Sequence, residues 1–233
     1  MKLLQKIWNH KWILRYLPQS LYFNFHYLPF KQAIKLPILL YKPKLLKCKG
    51  EIKIEGTIKF GMIKLGKYHV SLFPNTGFVY ENHGGKIIFK GTCDIGNNSY
   101  MSIGPKGYIY FGNQFSSSTS LKITSYNKIQ FDDCVLVGWD CLFMDTDFHK
   151  MRKLKGGYTK GFGSIKIGEK TWIGSKCTIL KNTELPAFTT VSAGTQLNKK
   201  MEIPKYSIIG HDSNVIVKFS GCYRDINDDQ IIY

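Results

Sequence analysis

Apolar residues in the second half of the chain return at every sixth position. Ile167, Ile173, Ile179, Leu185, Val191 and Leu197 fall in unbroken register, with Gly168 and Gly174 directly after the first two. An α-helix repeats near 3.6 residues and a strand alternates by two, so neither alone sustains a period of six. A three-sided coil does. Each side is a short strand, and every sixth side chain points to the axis. Such coils stack as a parallel β-helix, whose sequence signature is the hexapeptide repeat. Weaker registers lie upstream: Phe89, Ile95 and Met101; Ile103, Ile109, Phe115 and Leu121; then Phe131, Val137 and Phe143. The pairs Ile52 with Ile58 and Ile54 with Phe60 place the first coils soon after Gly50. The pattern predicts a mainly β domain over 50–218. At roughly 18 residues per turn this length holds on the order of nine turns, fewer where loops protrude.

Two stretches break the count. Residues 61–85 are poorly periodic and predict an irregular coil or loop. After Phe143 the register stops, and it resumes at Ile167. The segment between, 145–164, is polar, basic and glycine-rich, and predicts a loop thrown out from the body, where functional residues often sit. Residues 1–49 read as helical and irregular. Lys2 to Leu17 suits one amphipathic helix ending at Pro18, and Pro29, Pro37 and Pro43 punctuate the rest of this segment. The tail, 219–233, has no period and reads as a capping strand or helix, or as an unstructured end.

Charge changes the picture at the N-terminus. The formal charge is +17, from 33 Lys and Arg against 16 Asp and Glu, and no acidic residue precedes Glu51. The same stretch mixes its lysines with Trp8, Trp12, Tyr16, Tyr22, Phe23, Phe25, Tyr27, Phe30 and Tyr41. Basic residues among aromatics suit peripheral contact with an anionic membrane surface through 1–49. The alternative is that the rings pack on the first coils and the lysines are solvated. No nucleic-acid module is visible, so nucleic acid is not expected as a partner. No apolar run approaches the roughly 20 residues needed to span a bilayer. No signal peptide is evident. The six cysteines are scattered without zinc spacing, and read as reduced thiols. A cytoplasmic location is expected, with the inner face of the cell membrane as the site of any lipid contact.

Candidate chemistry gathers at the root of the 145–164 loop, in Asp145-Thr146-Asp147-Phe148-His149. If that segment is extended, alternate residues share a face and Asp145, Asp147 and His149 line up. A His beside a carboxylate is a candidate general base, the carboxylate fixing its tautomer and favouring the imidazolium. The plainer alternative is a polar surface loop with an incidental His. The other histidines lie apart with no HxH or HxxxH pattern, so no metal is expected. No phosphate-binding glycine loop or nucleophile elbow occurs. What remains is His-assisted transfer from an activated donor.

From Lys122 to about Lys218 the chain resembles the hexapeptide-repeat acyltransferases, in particular the galactoside and maltose O-acetyltransferases and the sugar O-acetyltransferases of surface-polysaccharide clusters. The residues that carry the resemblance are DTDFH (Asp145 to His149), TWIGS (Thr171 to Ser175), VSAGTQLNK (Val191 to Lys199) and IPKYSIIG (Ile203 to Gly210), in that order. The resemblance implies a left-handed β-helix, against the usual right-handed crossover. It also implies a homotrimer with active sites between subunits and acetyl-coenzyme A as acyl donor. Carried over by position, His149 falls at the general base, and Trp172 and Ser175 line the pantetheine and thioester. Ala193 and Gly194 offer backbone contacts to the pantetheine arm, and Lys199 approaches the coenzyme A phosphates. Three departures stand out, one being Val191-Ser192-Ala193-Gly194-Thr195 in place of the family's IGAGS motif. The closing turn reads GHDSNVIVK from Gly210 to Lys218, with Asn214 at the usual basic position, where Lys218 or Lys200 would have to compensate. The acceptor-side stretch is Thr124-Ser125-Tyr126-Asn127 rather than acidic.

The expected function is acetyl-coenzyme A-dependent O-acetylation of a sugar hydroxyl in cell-surface polysaccharide synthesis, on a sugar or lipid-linked glycan acceptor. An amino-sugar N-acetyltransferase would use the same base and donor. A non-catalytic β-helix that binds glycan or membrane is a reading of a different class.

Overall fold

A computed structural model describes residues 11–149, 151–154, 158–211 and 215–220, with side chains over 15–149, 151–154 and 158–210. Its strands form three sheets, and within each the chain returns by parallel pairing. Face A stacks Ile38–Leu40, Ile63–Lys67, Cys93–Gly96, Phe115–Ser117, Leu136–Val137, Trp172–Ile173, Thr190–Val191 and Ser207–His211. Face B runs from Pro43–Cys48 to Gln196–Leu197, and face C from Glu51–Ile54 to Glu184–Leu185. The chain visits A, B and C in turn. This is the mainly β, parallel β-helix class that the hexads predict.

The stacking register explains which hexads were legible. Ile173 lies over Val191 and Val191 over Ile209, each a step of three hexads. Upstream, Ile95 pairs with Ser117 and Ser117 with Val137, steps that are longer. The added residues sit in corners, so the inward column is kept while the sequence period slips. The axis is filled by that column. Phe89, Phe111 and Phe131 stack ring on ring, with centroids 5.2 and 5.4 Å apart. Ile129, Ile165, Ile167, Ile173 and Ile179 are fully buried in the same interior. Each coil buries its apolar edge only against its neighbours, so stability accrues by nearest-neighbour contact.

The N-terminal boundary differs from the expectation. Coils begin at Ile38 and not after Gly50, because Ile38, Leu39 and Leu40 are all buried on face A. The run lacks the hexad signal because all three side chains are covered, the outer ones by α1 (Lys11–Tyr27). That helix does not end at Pro18 but passes through it. An internal proline costs a helix about 3 kcal/mol, offset here by tertiary anchoring. Phe23 is fully buried, with its ring 5.1 Å from that of Tyr80. Buried Asn24 donates to the Ile38 carbonyl and accepts from the Ile38 amide. Ser20 Oγ accepts from the Leu40 amide. A short α2 (Phe30–Ala33) comes next. The part of the expected Lys2–Leu17 helix before Lys11 lies outside the described residues. No described helix is long and apolar enough to cross a membrane.

The irregular stretch expected over 61–85 narrows to a loop at 68–77 between Ile63–Lys67 and Phe78–Asn82. At the far end, Val215–Ser220 turns back antiparallel on Ser207–His211, ending face A with a hairpin. The tail beyond Ser220 lies outside the described residues. Cys93, Cys141 and Cys177 are buried free thiols that fill the core.

Candidate active site

The corners of the coil, not its faces, carry the candidate residues. The 145–164 segment leaves the B–C corner after Leu142–Met144 and rejoins at Ile165–Ile167. Antiparallel bridges Thr146–Phe162 and Arg152–Tyr158 zip it into a protruding arm.

The root of that arm is fixed by Asp145. Its carboxylate is fully buried and accepts from the Tyr126 amide (2.7 Å), the Asn127 amide (2.9 Å) and Ser125 Oγ (3.0 Å). Burial pushes the carboxyl group up in pKa, and these donors oppose the shift. Asp145 Oδ atoms thus tie the arm to the turn of the coil below. Phe148 adopts a positive φ of 58° and sets its ring edge-on to Tyr126 at 4.9 Å. Asp147 is exposed and ion-paired with Lys181. The segment is therefore turned, not extended. Asp145 points into the body, while Asp147 and His149 are exposed, so the three do not line one face as the sequence suggested. His149 makes no hydrogen bond to a described residue and is presented to solvent one residue beyond the Phe148 anchor.

The second group of predicted residues sits elsewhere. Val137, Ile173 and Val191 stack, so the residues two positions later stack as well: Trp139, Ser175 and Ala193 form one column at the A–B corner. Ser175 Oγ accepts from the Trp139 amide at 3.2 Å, and the Ser175 carbonyl accepts from the Gly194 amide at 2.9 Å. Trp172 is exposed at the outer side of face A beside this corner. Ala193 is exposed, and no described residue accepts from its N–H. Gly194 has φ +74°, and a Cβ built there meets no atom within 4 Å. The same corner position in other coils takes Asn98, Ser120, Asp140 and Lys176, all at positive φ. The backbone does not demand glycine there; open space in front of it is what Gly194 adds. An amide with no described acceptor, beside a bare backbone and an indole, fits a long, thin donor arm with one carbonyl to polarise.

The structure brings Trp172, Ser175, Ala193 and Gly194 together and holds His149 apart from them, at another corner. Lys199 is exposed just after Gln196–Leu197, at the B–C corner. Asn214 and the side chain of Lys218 lie outside the described residues; Lys200 is exposed beside Glu184. Trp139 was missed by sequence reasoning. Its exposed indole donates through Nε1 to Ser118 Oγ at 2.8 Å and abuts Phe73 at 5.9 Å. Aligning Val137-Gly138-Trp139 with Ile173-Gly174-Ser175 by hexad would have put it directly under Ser175. Among the described residues no group of three His, Cys, Asp or Glu could hold a metal ion.

No protein-family model matches this sequence, and no curated protein does. Among solved structures, the chain is similar to the polySia specific acetyltransferase NeuO (TM-score 0.49, 11% identity, 82% of this chain and 92% of that one). It is similar to a hexapeptide-repeat containing acetyltransferase, VCA0836 of Vibrio cholerae O1 biovar eltor, complexed with acetyl coenzyme A (0.37, 13%, 87% and 85%). A third is the polysialic acid O-acetyltransferase OatWY (0.36, 16%, 82% and 90%). The fold of this chain rests on its own three sheets, and the roles of its residues on its own corners.

Proposed function

We propose that this protein is an acetyl-coenzyme A-dependent O-acetyltransferase that modifies a sugar hydroxyl, working as a homotrimer. The observation that carries the reading is the split between corners. His149 stands exposed, without a hydrogen bond to any described residue, on an arm anchored at the B–C corner, and the open, indole-flanked backbone of Ala193 and Gly194 lies at the A–B corner. Neither half is a site alone, and a neighbouring copy placed corner to corner completes it. In that site an imidazole nitrogen of His149 takes the proton from the acceptor hydroxyl. The oxygen attacks the thioester carbonyl, and the Ala193 N–H stabilises the oxyanion that forms. The C–S bond then breaks, and the coenzyme A thiolate takes the proton back from the imidazolium. No metal and no acyl-enzyme enter.

The outer side of α1 and α2 supports peripheral membrane contact near a lipid-linked acceptor. Tyr22, Phe25, Phe30 and Ile34 are exposed there, flanked by Lys31 and Lys35.

The test is His149→Ala. We expect the transfer rate to fall roughly 10²–10⁴-fold, the usual share of positioned acid–base catalysis, with acetyl-coenzyme A affinity and assembly retained. Retention of most activity toward a verified acceptor would falsify the assignment of the base.

A further inference from the structure

A second cleft opens far from His149, where α1 crosses the first coils. Its volume is about 260 Å³, and it is lined by Tyr16 of α1, Tyr41 and Lys42 of the first A–B corner, Lys67, and Tyr68 and Asn75 of the 68–77 loop. Three tyrosines and two lysines line one small space.

The charges there are not cancelled. Lys42 Nζ donates to the Asn75 carbonyl at 2.5 Å and pairs with no described carboxylate. Lys67 stands 3.9 Å from Asp94, but Lys64 shares that carboxylate at 3.9 Å and His69 Nε2 lies 2.9 Å from it. One carboxylate thus serves Lys64, Lys67 and His69, and Lys42 has none among the described residues. The Tyr41 hydroxyl is pushed up in pKa by burial and by the charge of Asp94, so it stays neutral.

We infer that this cleft binds an anionic pyranose unit of the acceptor glycan, an inference that rests on the sugar-acetyltransferase reading above. A pyranose offers an apolar C–H face to aromatic rings, and its hydroxyls take hydrogen bonds from phenols and amides. An anionic substituent, carboxylate or phosphate, satisfies the surplus ammonium charge. A purely apolar ligand would leave Lys42 and Lys67 unused, and a free anion would leave the rings unused.

Position strengthens the inference. The cleft lies on the same A–B edge as Trp139, Ser175 and Ala193. The 68–77 loop runs along that edge, where Phe73 touches Trp139. The Ile38–Leu40 and Trp172–Ile173 strands are five steps apart on face A, or about 24 Å at the usual strand spacing. That is the reach of an oligosaccharide and not of one sugar. The cleft therefore holds one unit of a chain while another is offered to the thioester.

Calorimetry on the full chain, without any transfer step, tests this. The probes are a galacturonate tetramer, glucose 6-phosphate and a neutral galactose tetramer. We expect a charged probe to bind and the neutral one not to, the stronger of the two charged probes showing which anion is read. Lys42→Gln with Lys67→Gln should weaken binding at least about tenfold, as expected for loss of charged hydrogen bonds. Tyr68→Ala, at an exposed position, should weaken it as well. These variants should keep acetyl-coenzyme A binding, while Trp172→Ala should lose donor affinity and keep the glycan. Equal binding of charged and neutral tetramers, or unchanged binding in the double lysine variant, overturns the inference. Glycan binding without any acetyl-coenzyme A binding leaves the cleft in place and sinks the transferase reading; the reverse result sinks the cleft alone.

Discussion

Asp145 and His149 lie four positions apart and do opposite things. Asp145 spends its charge on the fold, holding two amides and a hydroxyl of the turn below. His149 makes no hydrogen bond to a described residue and is presented outward. Asp145→Ala would strand buried donors, and we expect a loss of about 2–4 kcal/mol by denaturant titration, each orphaned group costing about 1–3 kcal/mol in isolation. His149→Ala should leave that titration unchanged. Gly194 makes the complementary case. Non-glycine residues already occupy its corner position in other coils at positive φ. Gly194→Ala should therefore cost only about 1 kcal/mol of stability. If the donor arm lies on that bare backbone, the KM for acetyl-coenzyme A should rise several-fold at near-constant kcat. A variant that loses stability and keeps its donor KM would remove Gly194 from the site. The sequence pointed to His149 and Gly194 by motif order. It misread Asp145, because alternation assumes an extended strand and the turn at Phe148 breaks it.

At the scale of elements, legibility followed burial geometry. The coils from Ile167 onward advance in three hexads and could be counted directly. The earlier coils carry extra corner residues, which shifted the count without disturbing the inward column. Face A's first strand, Ile38–Leu40, was invisible for a different reason: α1 covers its outer side, so nothing alternates. That helix also decides how membrane contact must be tested. Deleting 1–49 would strip Ile38–Leu40 and Pro43–Cys48 from the first coil and confound lipid binding with unfolding. Replacing exposed residues avoids this. Phe25→Ser with Phe30→Ser should reduce flotation with liposomes containing anionic lipid. Lys31→Gln with Lys35→Gln should reduce it further, each surface cation contributing about 1 kcal/mol that salt screens away. Undiminished flotation in the fourfold variant would mean that α1 and α2 merely cap the coil.

The whole molecule poses the sharpest question, because its candidate site is divided between two corners of one coil. A three-sided rod carries each corner along its full length. Cyclic assembly of such rods brings unlike corners of neighbours together, and a head-to-tail interface with this rotation closes as a ring. Light scattering should return a trimer at micromolar concentration. Mixing gives a stricter test. His149→Ala and Trp172→Ala should each be nearly inactive alone. Co-expressed in equal amounts, they form rings in which some sites take His149 from one chain and Trp172 from the next. Random assembly makes about a quarter of the sites intact in a heterologous ring, so activity should recover to about a quarter of the wild-type level. If each site were built within a single chain, no mixture could restore it, because every chain would carry one lesion. Recovery therefore locates the chemistry between subunits. Absence of recovery, with trimers shown to be mixed, would mean that no site is shared between subunits.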